Sequence, residues 1–555
     1  MSTGKNRDWV TGILFNLGLV ALGCVLFVLS FPNLLIEKGF PLFGWVAFVP
    51  VFIVIHRSSL GASLVWGALY GYAAYGLFNY WLSVFHPLAG LIVGVIYLIY
   101  LAALFFFLKL AEILFPKRGY IVQWVLWIAY EYLRTQGFLG YSYGISGYSQ
   151  WTVLPLIQIA GIFGVWGVSA LLIFPQAFLG AALGDWYPGK GVRGMAFALG
   201  NFFRTEKLAA VLWIAALCVT LVYGVVSQKD YSAAPAARIA LVQNNADPWR
   251  GGIAEYRKNF ETLRRLSDEA LQGTIKPDMV AWSETAFVPR IYWHSTYRSD
   301  PSSWALVKEL LDYLALQEVP FVIGNDDARK DPAINPHRDP YDPQDDYRVD
   351  YNAVMLYEKG ALIRQYRKVH LVPFTEHFPY GKQFPYIYRA LENADTHFWE
   401  KGREFTVFDG PGFKFSSPIC FEDTFGDLSR DFVRNGAEIL INLSNDAWSA
   451  SLPAQNQHLS MAVFRAVENR RSMARATASG QTCAVDPNGK VTALAPPFTE
   501  AWITAELPIV RTETRYTRWG DLPVRIFAVL AFALLILGFI LRMIKHGYQK
   551  KNTHC

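Results

Sequence analysis

Cysteine, histidine and charge are all scarce in this chain of 555 residues: five cysteines, ten histidines, and 17% Asp, Glu, Lys and Arg together. Cys24 and Cys218 fall in long apolar runs and Cys555 in a basic tail, which excludes a disulfide framework. Cys420 and Cys483 share the polar part of the chain, where a structural bridge and an unpaired, reactive Cys420 are both open readings. No HExxH and no Cys–His ligand spacing is present, so no metal site is expected, and no motif calls for a cofactor. No repeat of solenoid period is seen either. The net charge of +6 is carried largely by short loops between apolar runs, which removes the main support for a nucleic-acid partner.

What the chain does have is hydrophobic length, 53% of its residues, gathered at its two ends. Apolar stretches recur near 9–29, 41–56, 60–84, 89–115, 120–135, 154–183, 208–226 and 524–543. Most approach or exceed the roughly 18–20 residues that cross a hydrocarbon core as a helix. The expectation is a multi-span α-helical membrane bundle of about eight spans: seven within 1–230 and one within 520–545, followed by a basic tail, 546–555. The first stretch follows Lys5 and Arg7 without a convincing small-residue cleavage site and reads as a retained anchor. Lys and Arg gather in alternate loops: at Lys5 and Arg7, Arg57, Lys117 and Arg118, Lys190 to Lys207, and Arg542 onward. Short basic loops stay cytoplasmic. Both termini are therefore expected in the cytoplasm and the polar segment from about 230 to 520 on the far side of the membrane.

From Arg238 the pattern changes to short β-rich runs alternating with helical ones, the mark of an extramembrane α/β domain with a mixed sheet or a pair of sheets. Helices are expected around 254–272, 302–317, 424–435 and 455–474, with "FTVFD" and "RATASGQTCAVD" among the strands. Residues 326–350, rich in Asp, Pro and Arg, read as a surface excursion without chemistry.

Three strand ends deliver ionisable residues into loops: Glu284 in "AWSETAF", Lys368 in "YRKVHLVPF" and Cys420 in "SPICFED". A thiolate is a nucleophile, a carboxylate within reach takes its proton, and a fixed ammonium favours the thiolate and stabilises an oxyanion, so the three together suit acyl transfer. Singly, each is more often a solvated terminus, a surface charge or an inert small hydrophobe.

The flanks make the combination specific. "LVQNN", "AWSETA", "YRKVHLVPFTEHFP", "SPICFED", "LINLSNDAW" and "QHLSMAVFRAVENRRSMARAT" occur in the order of the apolipoprotein N-acyltransferase family, membrane members of the carbon–nitrogen hydrolase (nitrilase) superfamily, which this chain resembles. The resemblance implies a nitrilase-like αββα sandwich over 237–508 and a triad of Glu284, Lys368 and Cys420. It also implies supporting roles for Glu376 in "PFTEHFP" and for Glu422 after the nucleophile. Phe421 stands where the family usually has tyrosine, keeping the ring without the hydroxyl. Trp249 and Trp448 are candidates for the substrate pocket, ordinary packing being the alternative for Trp249.

An acyl donor that is a phospholipid explains why thiol chemistry would sit on a membrane anchor. The expected partners are therefore a phospholipid donor, a diacylglyceryl-lipoprotein acceptor and membrane lipids, acting on a monomer with no nucleic acid. The expected location, by the same resemblance, is the inner membrane of a bacterium, with the catalytic domain facing the periplasm. The aromatic segment 378–399 reads equally as a mobile arm over the site or as a loop packed on its own domain. Two other readings are a membrane-tethered amidase or nitrilase, which would transfer to water, and a solute receptor or transporter with a lapsed triad. His370 and His377 are expected to be structural, as is the helix opened by His458. Glu112, Glu131 and Arg134, in or near spans, suit a lipid path or an interface.

Overall fold

A computed structural model describes residues 2–85, 87–335, 347–392 and 398–552. The chain divides into two compact units, Met1–Gln228 with Trp519–Cys555, and Lys229–Arg518.

The first unit is helical. Among the described residues, five helices are long and apolar enough to cross a membrane: Val10–Ser30, Leu88–Leu114, Val165–Leu183, Lys207–Ser227 and Leu522–His546. The remaining apolar stretches are helical but shorter or less uniformly apolar, so the number of spans is approximate. Residues 41–56 break into a 3-10 turn, Pro41–Trp45, and a helix, Val49–Arg57. Residues 60–84 hold the helix Leu60–Phe78, and 120–135 the fifteen-residue helix Gly119–Leu133. Arg134 and Glu131 are buried. Arg134 donates to the Tyr97 hydroxyl at 2.5 Å and to the carbonyls of Tyr141 and Tyr143 at 3.1 and 2.9 Å, and Glu131 accepts from Ser146. In an apolar bundle such groups are tolerated where neighbouring polar groups partner them.

Among its described residues, the second unit forms two six-stranded sheets. One runs in the order β12-β1-β2-β3-β4-β5, from Ala501–Pro508 (β12) through Ala236–Gln243 (β1), Met279–Trp282 (β2), Phe321–Lys330 (β3) and Arg348–Glu358 (β4) to Ala361–Arg367 (β5). The other runs β11-β10-β9-β8-β7-β6, from Val491–Leu494 (β11) through Cys483–Val485 (β10), Ser472–Thr477 (β9), Ile439–Ser444 (β8) and Lys414–Ser416 (β7) to Phe408–Asp409 (β6). The strands β1, β2 and β3 pair in parallel, as do β7, β8 and β9, which brings their C-terminal ends to a common edge. The two sheets meet face to face through β1, β2 and β12 against β9 and β10. Helices cover their outer faces, giving an αββα sandwich.

The outer layers follow from sequence periodicity. Ile253–Gln272 (α1) buries Phe260, Leu263, Leu266 and Ala270 on one face, while arginines and glutamates fill the other. Pro301–Ala315 (α2) starts where Asp300 accepts from the amides of Ser302 and Ser303 at 3.3 and 2.8 Å, with proline in the first turn. Leu306 and Leu310 of α2 and the α1 residues close over Val280, Trp282 and Ile323, each fully buried apolar side chain contributing about 1.5–3 kcal/mol. On the other sheet lie Gly426–Arg434 (α3) and Leu452–Asn469 (α4). Every residue from Pro453 to Asn469 is buried, so polar groups of α4 such as His458 and Arg465 find their partners inside the protein. Arg465, for example, donates to Glu468 at 2.9 Å.

Several boundaries differ from the pattern reading. The helix expected to reach 474 stops at Asn469, because Arg470 turns into the left-handed region at φ 50° and the chain enters β9. The expected excursion 326–350 is strand at both ends, pairing Asp326 with Asn352 and Ala328 with Asp350; residues 336–346 lie outside the described ones. Asp327 is fully buried there because Arg367 and Arg329 neutralise it at 2.6 and 3.0 Å. The segment 424–435 begins as a 3-10 turn, Cys420–Thr424, before α3, and "FTVFD" pairs only at Phe408 and Asp409. The aromatic segment contains a helix, Pro385–Glu392, with 393–397 outside the described residues.

Candidate active site

Glu284 lies two residues beyond β2, Lys368 immediately beyond β5, and Cys420 at the first position of the 3-10 turn that follows β7. The backbone is tight at this edge. Cys420 has φ 48°, Thr285 beside Glu284 has φ 47°, and Phe374 near Glu376 has φ 66°. Non-glycine residues occupy this region at a cost of about 1–3 kcal/mol and persist only where the surroundings over-determine them. At Cys420 the turn is pinned by the Asn442 amide, which donates to the carbonyls of Cys420 and Pro418 at 3.1 and 3.2 Å.

The Lys368 ammonium is fully buried between two carboxylates, 2.8 Å from Glu376 and 3.5 Å from Glu284. Burial works against its charge, but Glu376 and Glu284 outweigh it and hold the lysine above its ordinary range, protonated. Glu376 is pushed up by burial, against the pull of Lys368. Glu284 is oriented at both oxygens: Oε1 accepts from Asn352 Nδ2 at 2.8 Å, and Oε2 from the Asn445 backbone amide at 2.9 Å. The Cys420 thiol is partly exposed and unpaired, as is the buried Cys483, so no bridge joins them. Burial and then Glu284 raise the Cys420 thiol well above its ordinary value, while Lys368 pulls it down. The resting group is a thiol, and the charges it responds to most are those of Glu284 and Lys368. A carboxylate, an ammonium and a thiol thus meet in one largely desolvated site, the arrangement acyl transfer through a covalent intermediate requires.

Glu422 takes no open position. It is fully buried and accepts from the Tyr366 hydroxyl at 2.8 and 2.9 Å, the amides of Val369 and His370 at 2.8 and 3.0 Å, and the amide of Ile419 at 2.8 Å. Burial pushes its carboxyl up to about 7. These bonds tie the lysine loop to the nucleophile turn, so Glu422 acts by positioning. Phe421 is buried against Phe425 and His370, with centroids 5.0 and 5.9 Å apart. Burial, with Lys401 and Lys368 nearby, lowers His370 to about 4, so it is neutral. Trp448 is half-buried on the 3-10 turn Asp446–Ser449. Trp249 is 63% exposed on a loop anchored where the Asn245 amide donates to the Ala478 carbonyl at 2.7 Å.

Pattern reading missed what lies beneath. His458 is no mere scaffold residue: its ring bridges Asp423 at 2.7 Å (Nε2) and Asp446 at 3.0 Å (Nδ1). Arg475 of β9 spans the same carboxylates, donating to Asp423 Oδ2 and lying 3.5 Å from Asp446 Oδ2. All four are buried. Burial opposes charge on His458, but Asp423 and Asp446 raise it to about 9; burial likewise opposes Asp446, which His458 and Arg475 nevertheless bring down to about 2. Asn352 was hidden in the strand "NAVMLYE". Among the described residues, no cluster of His, Cys, Asp and Glu has metal-holding geometry.

Residues 238–516 match the family model for carbon-nitrogen hydrolase, and residues 23–178 match that for the apolipoprotein N-acyltransferase N-terminal domain. The chain is 45% identical over 547 residues to apolipoprotein N-acyltransferase 1 of Treponema denticola, covering 97% of this chain and 98% of that one. It is 44% identical to the protein of the same name from Treponema pallidum, with the same coverage. Among solved structures, a carbon-nitrogen hydrolase from Helicobacter pylori is 18% identical, with a TM-score of 0.36 over 52% of this chain and 94% of that one.

Proposed function

This chain belongs to the apolipoprotein N-acyltransferase family, and from that premise we propose that it moves an acyl chain from a phospholipid to the N-terminal α-amine of diacylglyceryl-cysteine lipoproteins. The observation that carries this reading is the meeting of Glu284, Lys368 and Cys420 in one buried, charge-coupled site, on a chain that also holds membrane-length helices.

Glu284 takes the thiol proton as the Cys420 sulfur attacks the ester carbonyl of the donor. Lys368 holds the developing oxyanion, and Glu376 keeps Lys368 charged and in place. The lysophospholipid leaves with a proton returned from Glu284, and a thioester remains on Cys420. In the second half the lipoprotein amine enters, attacks the thioester carbonyl, gives its proton to Glu284 and departs as the amide, restoring the thiol. General acid–base assistance of this kind is worth about 10²–10⁴ in rate. Two substrates using one site in turn give ping-pong kinetics. Trp249 and Trp448 are assigned to the rim of the pocket.

The distribution of Lys and Arg supports cytoplasmic termini, with residues 237–508 acting on the opposite, periplasmic side of an inner membrane, between a bundle within 1–230 and a closing span within 520–545. A monomer suffices, because all the residues assigned to the chemistry come from one chain.

The test is intact-protein mass spectrometry after incubation with a defined phospholipid, alongside Cys420→Ala, followed by a diacylated lipopeptide. The expected result is one acyl mass gained by the wild type alone, then removed as the peptide becomes triacylated. An adduct discharged only by water makes the protein a hydrolase, and absence of any adduct on folded protein removes Cys420 as nucleophile.

A further inference from the structure

The basic stretch from Lys190 to Lys207 is more than a loop between spans. Residues Gly191–Thr205, "GVRGMAFALGNFFRT", form a helix of fifteen residues between Val165–Leu183 and Lys207–Ser227, yet none of its residues is buried. Among the described residues no side chain caps its N-terminus, and Gly194 and Gly200 weaken its interior. A helix of this length and composition is marginal in water and needs a surface to lie against. The bundle supplies part of one. Phe202 meets Phe178 and Tyr120 with ring centroids 4.9 and 5.7 Å apart, and Phe203 meets Phe178 at 5.0 Å. Even so, Val192 is 75% exposed, Phe197 77% and Phe203 42%.

At about 100° per residue, the side chains sort around the helix axis into successive sectors. Met195, Leu199 and Phe202, all half-buried, lie toward the bundle. Beside them Val192, Ala196 and Phe203 form an exposed apolar sector. Arg193 and Arg204 come next, both exposed, with Phe197 at their edge, and Asn201 and Thr205 complete the turn. This is the order expected of a helix lying flat at a bilayer surface with one side against protein: apolar residues at the acyl boundary, guanidinium groups at headgroup level, neutral polar residues toward water. Charge points the same way. Within 186–207 Lys190, Arg193, Arg204 and Lys207 stand against a single acid, Glu206, whose carboxylate is already held by the Tyr120 hydroxyl at 2.9 Å and by Arg118 at 3.6 Å. Arg57 reaches the same end of the bundle, donating to the Trp186 carbonyl at 3.2 Å. The two flanking helices fix this cationic end at the level where the headgroups of a bilayer begin.

We propose that Gly191–Thr205 is an interfacial helix that binds anionic phospholipid in the leaflet at this basic end of the bundle, with Val192 and Phe203 entering the acyl boundary and Arg193 and Arg204 holding headgroup phosphates. This surface takes no part in acyl transfer, and it rests on the two flanking helices crossing a membrane, whatever the nucleophile or the substrates. Any acyl chain satisfies the apolar sector, so the choice of lipid is made by charge. An arginine near an anionic surface gains about fivefold in binding, and the pair about 25-fold. A second copy of this chain would match the apolar sector but not the charge, since it would set Arg193 and Arg204 against the same residues of its mate.

The test is hydrogen–deuterium exchange of the full-length protein in nanodiscs, read by mass spectrometry on peptides within 191–205. One set of discs is phosphatidylcholine, and the other is an equal mixture of phosphatidylcholine and phosphatidylglycerol. Exchange is expected to be about 25-fold slower in the anionic discs, with peptides of Lys207–Ser227 unchanged between the two. The double variant Arg193→Gln, Arg204→Gln should exchange alike in both, whereas Val192→Ser should quicken exchange in both. If the double variant does not fold, the wild type at about 1 M salt, where the screening length is about 3 Å, should lose most of the difference. Equal exchange of the wild type in the two kinds of disc overturns the proposal, as does a double variant that keeps the difference. Protection that appears in phosphatidylcholine discs only when each holds two copies of the protein would also overturn it, in favour of a second copy as the occupant.

Discussion

Replacing His458 with glutamine probes the buried cage through its charge. In the folded protein His458 sits between Asp423 and Asp446 with an imidazolium stabilised to about pH 9, against an ordinary value of 6.5. A folded value above the unfolded one means the stabilisation is fully present below pH 6.5 and is lost as pH rises through 9. At about 1.4 kcal/mol per pH unit the difference comes to about 3 kcal/mol. Glutamine is neutral and can donate through its amide to only one of the two carboxylates in the same pose, so the cage is left with a net buried negative charge. Removing one partner of such a pair costs about 3–5 kcal/mol. At roughly 2 °C per kcal/mol for a unit of this size, the variant should melt about 6–10 °C lower at pH 6. The wild type should lose about 6 °C more than the variant between pH 6.5 and 9. Thermal unfolding of both proteins in the same detergent at pH 6, 7.5 and 9 is the assay. A variant that keeps the wild-type decline between pH 6.5 and 9 would refute the reasoning, since that decline is assigned to this one proton.

Two further predictions concern the first sheet. Glu284→Gln keeps the bond from Asn352 but sets an amide against the Asn445 N–H, and it cannot accept the thiol proton; acyl-adduct formation should fall by about 10²–10⁴ with the melting temperature lowered only slightly, read by mass spectrometry and thermal unfolding. Gly324 lies where an added Cβ would meet Ser283, Glu284 and Thr285, with Glu284 Cα at 2.7 Å, so Gly324→Ala should displace the Glu284 loop and cut adduct formation at least about tenfold. Wild-type adduct formation in that variant would show that the β3 backbone does not set the position of Glu284.

The chemistry-bearing residues were legible because each stands at the end of a β-rich run, where a polar side chain interrupts an apolar pattern: Glu284 after β2, Lys368 after β5, Cys420 after β7. The eight apolar stretches were equally plain, since hydrophobic length is a local property. Asn352 was not legible, because within β4 its side chain alternates with core residues and its partner Glu284 is 68 positions away. The cage was hidden for the same reason. Asp423, Asp446, His458 and Arg475 come from a turn, a second turn, a helix and a strand, and each taken singly looks like an ordinary surface charge.

By itself, then, the sequence determined that apolar helices and an α/β unit share one chain, and which thiol, amine and carboxylate stand ready at strand ends. Both follow from patterns that repeat every two or three to four residues, or from single residues set against them. Only the tertiary structure decided that Glu422 pins two loops instead of facing substrate, and that His458 is doubly bridged and charged. Burial removes water as the alternative partner, so each such group is defined by the particular atoms that the fold brings within about 3 Å of it, and no local pattern carries that information.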